Sequence, residues 1–319
     1  MNEELSPLPS FVEVKSALLD ESRLFPPAFL QFFSDMETDT LLKLAEVWQL
    51  VSENRKYSLL EDLEDSLESD TLVNYDEFAL MACKDESARV RSQALRLFWD
   101  SDNHRVIPIL IDASEHDSGE MVRVSAIEIL GHFELLSVLD EVPSHYQEKI
   151  EKALWNAYHA GSSSVLSRRA LESLGYSEDE KVSKLILMAF SKADPEWQAS
   201  ALIAMGHSAD DRWQKQILNS LTEENFDIRM AAIKAAGELE LKAARVALVK
   251  IVGDEENDSD QRYAAIWALS TIGGKEVKQY LEQRLDNAAD DEEAEILEEA
   301  LENIALADDL SSFDLSELG

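Results

Sequence analysis

The sequence predicts an all-α fold, an α–α superhelix, and three observations predict it. A motif reading Arg-x-x-Ala-aliphatic-x-x-apolar-Gly returns about every 31 to 33 residues, with one interval of 44. Gly and Pro are scarce, 10 and 7 among 319 residues, and no stretch alternates with strand period. The apolar frame of the motif persists even where its Arg is replaced. Self-similarity at this period belongs to stacked helical hairpins, each touching only its neighbours.

The elements follow in order. Residues 1–85 read as an atypical helical capping region. Phe11–Leu19 has the composition of a short helix, and Pro26-Pro27 opens another at Ala28–Phe33, since proline suits a first helical turn. Thr38–Val51 carries a broad apolar stripe, Tyr57–Leu67 spaces its leucines helically, and Tyr75–Cys83 is a third run. Residues 86–285 form the regular array. Its first helices carry Arg91, Arg123, Arg229 and Arg262, with degenerate copies at Ser167 and Gln198. Its second helices lie near His104–Ala113, Ser144–His159, Lys181–Lys192, Arg212–Leu221, Leu241–Val252 and Lys275–Leu285. The extra length around Leu135–Tyr146 is expected to be a loop insertion on one face. Residues 286–307 read as a C-terminal capping helix and 308–319 as an acidic-hydrophobic tail.

Each signature residue has a physical reason. Ala126, Ala232 and Ala265 are small because helices cross there at about 8–10 Å. Gly131, Gly206 and Gly237 allow either close packing or the turn out of the helix. Asp85, Asp117, Asp194 and Asp258 stand where a carboxylate can cap orphan N–H groups. The four arginines read as a structural ladder, each pairing with an acid of a neighbouring repeat. The ladder is expected to break at Ser167 and Gln198.

The formal net charge is −36, with 29 Lys and Arg against 65 Asp and Glu. Such a charge repels phosphate backbones and anionic membranes and favours basic partners. One cysteine, Cys83, excludes an internal disulfide framework. No apolar run is long enough to cross a bilayer and no secretory signal is evident, so the expected setting is cytoplasmic.

These residues resemble the HEAT-repeat superfamily, and especially the bacterial phycobilisome-lyase HEAT-like repeats; Asp117–Gly131 meets that pattern nearly in full. The resemblance covers residues 86–285 strongly and the front third loosely. It implies a scaffold for protein contacts and is nearly silent on activity. Three catalytic uses of the fold are weighed. No histidine is followed by Glu, which speaks against the metal-binding His-Glu pairs of the deoxyhypusine hydroxylase type. The acidic balance speaks against the DNA glycosylase type. A phycobilin-lyase-like enzyme or chromophore chaperone stays as the alternative, with Trp155, Trp197, Trp213 and Trp267 as groove-lining candidates.

The preferred reading is a non-catalytic adaptor, monomeric, without cofactor or metal. It holds a basic or amphipathic protein segment and binds neither nucleic acid nor membrane. Leu310, Phe313, Leu315 and Leu318, alternating with acids in the tail, are the candidate second contact.

Overall fold

In the computed structural model, which describes residues 8–161 and 163–312, apolar residues at helical spacing fold into helices throughout, and no strand occurs among the described residues. The side chains of residues 68 and 309–312 lie outside the description. The chain forms two compact units, Met1–Ser173 and Leu174–Gly319.

Unit 1 begins with α1 (Phe11–Leu19), capped by the reciprocal Ser10 and Glu13 side chains, and a 3-10 turn at Pro27–Phe33. Then come α2 (Thr38–Trp48), α3 (Glu53–Ser69), α4 (Asp76–Ala82), α5 (Ala88–Arg96), α6 (Ile107–His116), α7 (Glu120–Val138), α8 (Ser144–His159) and α9 (Ser164–Leu174). Helices α3, α5 and α7 pack in sequence as one layer, with α2, α4, α6 and α8 behind them. The front segment therefore joins the stack instead of only closing it. In its core Phe78 meets Phe33 at a tilt and Trp48 edge-on, with ring centroids 4.8 and 5.3 Å away.

Unit 2 holds α10 (Glu180–Phe190), α11 (Pro195–His207), α12 (Gln214–Ser220), α13 (Phe226–Glu238), α14 (Arg245–Gly253), α15 (Ser259–Ile272), α16 (Lys275–Leu285) and α17 (Asp291–Ser312). The signature helices α11, α13, α15 and α17 touch one after another, whereas α10, α12, α14 and α16 scarcely touch each other. Helices crowd on the inside of a bend and splay on its outside. In this unit the signature layer is therefore the inner one.

Small residues make that crowding possible. Ala126, Ala232 and Ala265 are wholly buried. A Cβ added to Gly206 would come within 3.0 Å of Ala235 Cα, and one on Gly237 within 3.0 Å of Ala268 Cα. Gly131 likewise has Ser173 Cα 3.2 Å from where its Cβ would sit. The signature glycines thus serve close packing. The left-handed turn residues that end α11 and α13 are Ala209 (φ 48°) and Glu240 (φ 46°), which are not glycines.

Two expectations change. The extra length near Leu135–Tyr146 is mostly helix: α7 runs 19 residues and α8 runs 16, joined by a short turn. The capping helix does not stop before residue 308, because α17 continues to Ser312 and takes the first tail residues into its last turns. Leu310 lies on that helix; its side chain, and all of Phe313, Leu315 and Leu318, lie outside the described residues.

Candidate functional site

The arginine ladder comes first, because it fixes the register of everything beside it. Arg91 grips Asp117 of the next repeat through two bonds, Nε to Oδ2 at 2.8 Å and an Nη to Oδ1 at 2.7 Å. Burial opposes the effect, yet the Arg91 hydrogen bonds and the Gly119 N–H hold the Asp117 carboxyl below its ordinary range. Arg91 also donates to the carbonyl of Asp85, six residues earlier; Arg123 and Arg229 do the same to Asp117 and Glu223. The ladder arginine is thus a clip on the turn before its own helix as well as a bridge forward. Arg229 bridges to Gln261 at 2.7 Å, an amide in place of the expected acid, and Arg262 lies 3.8 Å from the buried Glu293 carboxylate.

Gln198 does not break the pattern. Its Nε2 donates to the Lys192 carbonyl, again six residues earlier, at 2.8 Å. At Ser167 the arginine function is absent, and the serine is buried. Sequence reading missed one rung: Lys56 on α3 donates to Asp85 at 2.6 Å, in the place that Arg91 takes toward Asp117. Its signal was Leu59, Leu60 and Leu63, which repeat the apolar frame three, four and seven residues on. Trp48 Nε1 also donates to Asp85, at 2.9 Å.

With the register set, the exposed stripe of the signature helices can be compared between units. In the motif the third, fourth and seventh residues after the arginine position enter the core. At 100° per residue, the first and fifth face away from it. In unit 2 those places hold Ala199 and Ile203 on α11, Met230 and Lys234 on α13, and Tyr263 and Trp267 on α15. Trp267 is 51 % exposed, and Phe226, one turn before Met230, is 41 % exposed.

The stripe is apolar except for the exposed Lys234, and acids flank it. Glu196, Asp227, Asp260 and Glu295 are exposed along the helix starts, and Glu298 and Glu302 are exposed on α17 beside it. The phenol of Tyr263 is pushed above its ordinary range, by burial first and then by the Asp290 and Glu292 carboxylates. Near its far end Tyr176 stacks on His207 at 4.1 Å and 8°, and His207 Nε2 is 3.9 Å from Glu238.

In unit 1 the fifth positions hold charges instead, Glu61, Arg96, Glu128 and Glu172. Arg96 binds Glu64 at 2.6 Å, and Arg169 binds Glu128 at 3.0 Å and Glu172 at 2.6 Å.

The four tryptophans do not line one groove. Trp213 is buried at the start of α12, and Trp155 on α8 stacks on His159 at 5.6 Å. Trp197 is half-buried under Lys192, whose ammonium is 3.1 Å from the ring centroid, and Trp267 alone of the four stands more exposed than buried. Among the described residues no group of three or more His, Cys, Asp or Glu side chains is placed to hold a metal ion. Among them also no helix is long and apolar enough to cross a membrane. Burial pushes the Cys83 thiol up to about 12, which leaves it protonated and unreactive at neutral pH.

Comparison with known proteins agrees with this architecture. The family model described as HEAT repeats matches residues 182–262 and 216–302, both within unit 2. No curated protein matches the sequence. Among solved structures, the Escherichia coli protein YibA is similar at 16 % identity, covering 94 % of this chain and 98 % of that one, with a TM-score of 0.38. Human deoxyhypusine hydroxylase is similar at 14 % identity, covering 92 % and 96 %, with a TM-score of 0.38. Yeast importin-β is similar at 11 % identity, covering 93 % of this chain and 52 % of that one, with a TM-score of 0.39. The match to HEAT repeats lies within the second unit, and the chain is an all-α repeat protein.

Proposed function

We propose that this chain is a non-catalytic protein-binding scaffold, and that the inner stripe of unit 2 receives an amphipathic segment with basic flanks. The observation that carries the reading is the strip of Ile203, Met230, Tyr263 and Trp267 inside a frame of exposed carboxylates. An apolar centre with a charged rim is the anatomy of a recognition surface, and aromatic residues are the usual anchors. The rim carries acids, so the partner's rim carries Lys or Arg, which also speeds encounter. Crossing three parallel ridges suits a helix laid into the groove, read through residues at i, i+3, i+4 and i+7.

The test is a titration of the full chain with designed amphipathic helical peptides that differ only in flank charge. Trp267 emission should shift to the blue with lysine-flanked peptides, and the affinity should fall steeply with salt. Equal binding of glutamate-flanked peptides, or no response from either, would end the proposal.

A further inference from the structure

The ladder has one incomplete rung, and a pocket opens beside it. In unit 1, Lys56 is answered by Asp85 and Arg91 by Asp117, each six residues before the next arginine position. For Arg123 the equivalent place is held by Gly161, which has no side chain to offer. Its φ is +62°, in the left-handed region that favours glycine. Arg123 spends one Nη on the Asp117 carbonyl at 2.7 Å and makes no other hydrogen bond or ion pair among the described residues. The Asp117 carboxylate is already held by two bonds from Arg91.

The half-buried Arg123 lines a pocket of about 320 Å³ between α6, α8 and the start of α9. Its apolar wall is Ala153, Ala157, Ala160 and Leu166, and its polar rim includes His116 and Asn156. Glu115, the rim's acid, is turned onto Asn156 Nδ2 at 3.0 Å. A guanidinium has five N–H donors in a planar fork that fits a carboxylate bidentately. The volume sits at the small end of ligand pockets, about 300–1,000 Å³.

We propose that the Arg123 pocket binds a carboxylate carried on a short apolar body, which supplies the acceptor that Gly161 cannot. Two sources share that chemistry: a free small carboxylic acid, and the C-terminal residue of a peptide. The site lies in unit 1 and stands or falls independently of the inner stripe of unit 2.

The experiment is an NMR titration of the full chain, watching the arginine Nε–H signals and the amides of α6 and α8. The probes are propionate and a short peptide ending in alanine, with the amidated peptide and sodium chloride at matched ionic strength as controls. Saturable shifts at Arg123 with either carboxylate, absent with both controls, are expected. Tighter binding of propionate assigns the free acid, and tighter binding of the peptide assigns the chain terminus. Arg123→Gln should weaken binding by about tenfold or more, since hydrogen bonds to charged groups are being removed. Gly161→Asp, whose side chain tolerates positive φ better than most, should place a carboxylate on Arg123 and compete the probes out to a similar degree. Shifts that never saturate, that chloride reproduces, or that survive in both variants would overturn the proposal.

Discussion

The two units solve one packing problem with different surfaces. Each presents a layer of signature helices whose first and fifth motif positions face outward. In unit 1 the fifth positions hold Glu61, Arg96, Glu128 and Glu172, and the last three are paired within the unit, Arg96 with Glu64, and Glu128 and Glu172 with Arg169. In unit 2 they carry Ala199, Ile203, Met230, Tyr263 and Trp267, with Lys234 the one charge among them. The difference teaches that the buried repeat frame and the displayed face are chosen separately. The core of a repeat needs small and aliphatic residues in fixed places, while the stripe is free to be closed with ion pairs or left open.

The strongest way to break the comparison lies in unit 1. Glu134 on α7 is wholly buried, and neither of its oxygens finds a hydrogen-bond partner among the described residues. Burial first, and the Glu151 carboxylate second, push its pKa from an ordinary 4.5 to about 8. A raised carboxyl pKa means that the folded state holds its proton more tightly than the unfolded chain does. Its contribution is therefore full below about 4.5 and is lost as pH climbs through about 8. Glu134→Gln should remove that slope and gain up to about 5 kcal/mol over wild type at pH 9 relative to pH 4, read from urea melts at both pH values. Parallel pH profiles for the two proteins would refute it.

Next in size is Asp85→Ala. It strips the acceptor from the nearly buried Lys56 and from Trp48 Nε1, and should cost about 3–5 kcal/mol because a buried cation is left unanswered. A midpoint within experimental error of wild type would show that the ladder is ornamental. Unit 2 depends on crowding instead, so Ala232→Leu should overpack the α11–α13–α15 crossing and cost about 1–3 kcal/mol. The smallest effect on stability belongs to the open stripe. Trp267→Glu should change the melting free energy by about 0.5 kcal/mol or less, yet weaken the binding of lysine-flanked peptides by about tenfold or more, read by calorimetry because the variant lacks the reporting indole. A large loss of stability would make Trp267 a core residue and remove the contrast between the units.

Much of the fold was legible in the sequence. The bounds of α1, α8 and α16 are those that composition and apolar spacing predict. The alanine positions were readable because a helix crossing tolerates nothing larger. Other features were not. The extra length around Leu135–Tyr146 reads as a loop because insertions in repeat arrays fall in loops, but Phe133, Glu134 and Ser137 are buried and carry α7 two turns beyond Gly131. Lys56 was missed because a lysine does not announce itself as a substitute for arginine until Asp85 is seen against it. The stripe of unit 2 was hidden for a different reason. Its residues are separated by about one repeat in sequence, and nothing local says which layer is inner. Layer order comes from which helices touch, a property of the stack and not of any one segment.

The contact from Arg91, Arg123, Arg229 or Gln198 back to a carbonyl six residues earlier lies wholly inside one repeat. A duplicated stretch of sequence therefore arrives with its own buckle already fastened, and asks of its new neighbours only a matching flank. Lengthening or shortening such an array by whole modules leaves every internal fastening intact, whereas a cut between the buckle and its catch would release the loop that starts the helix.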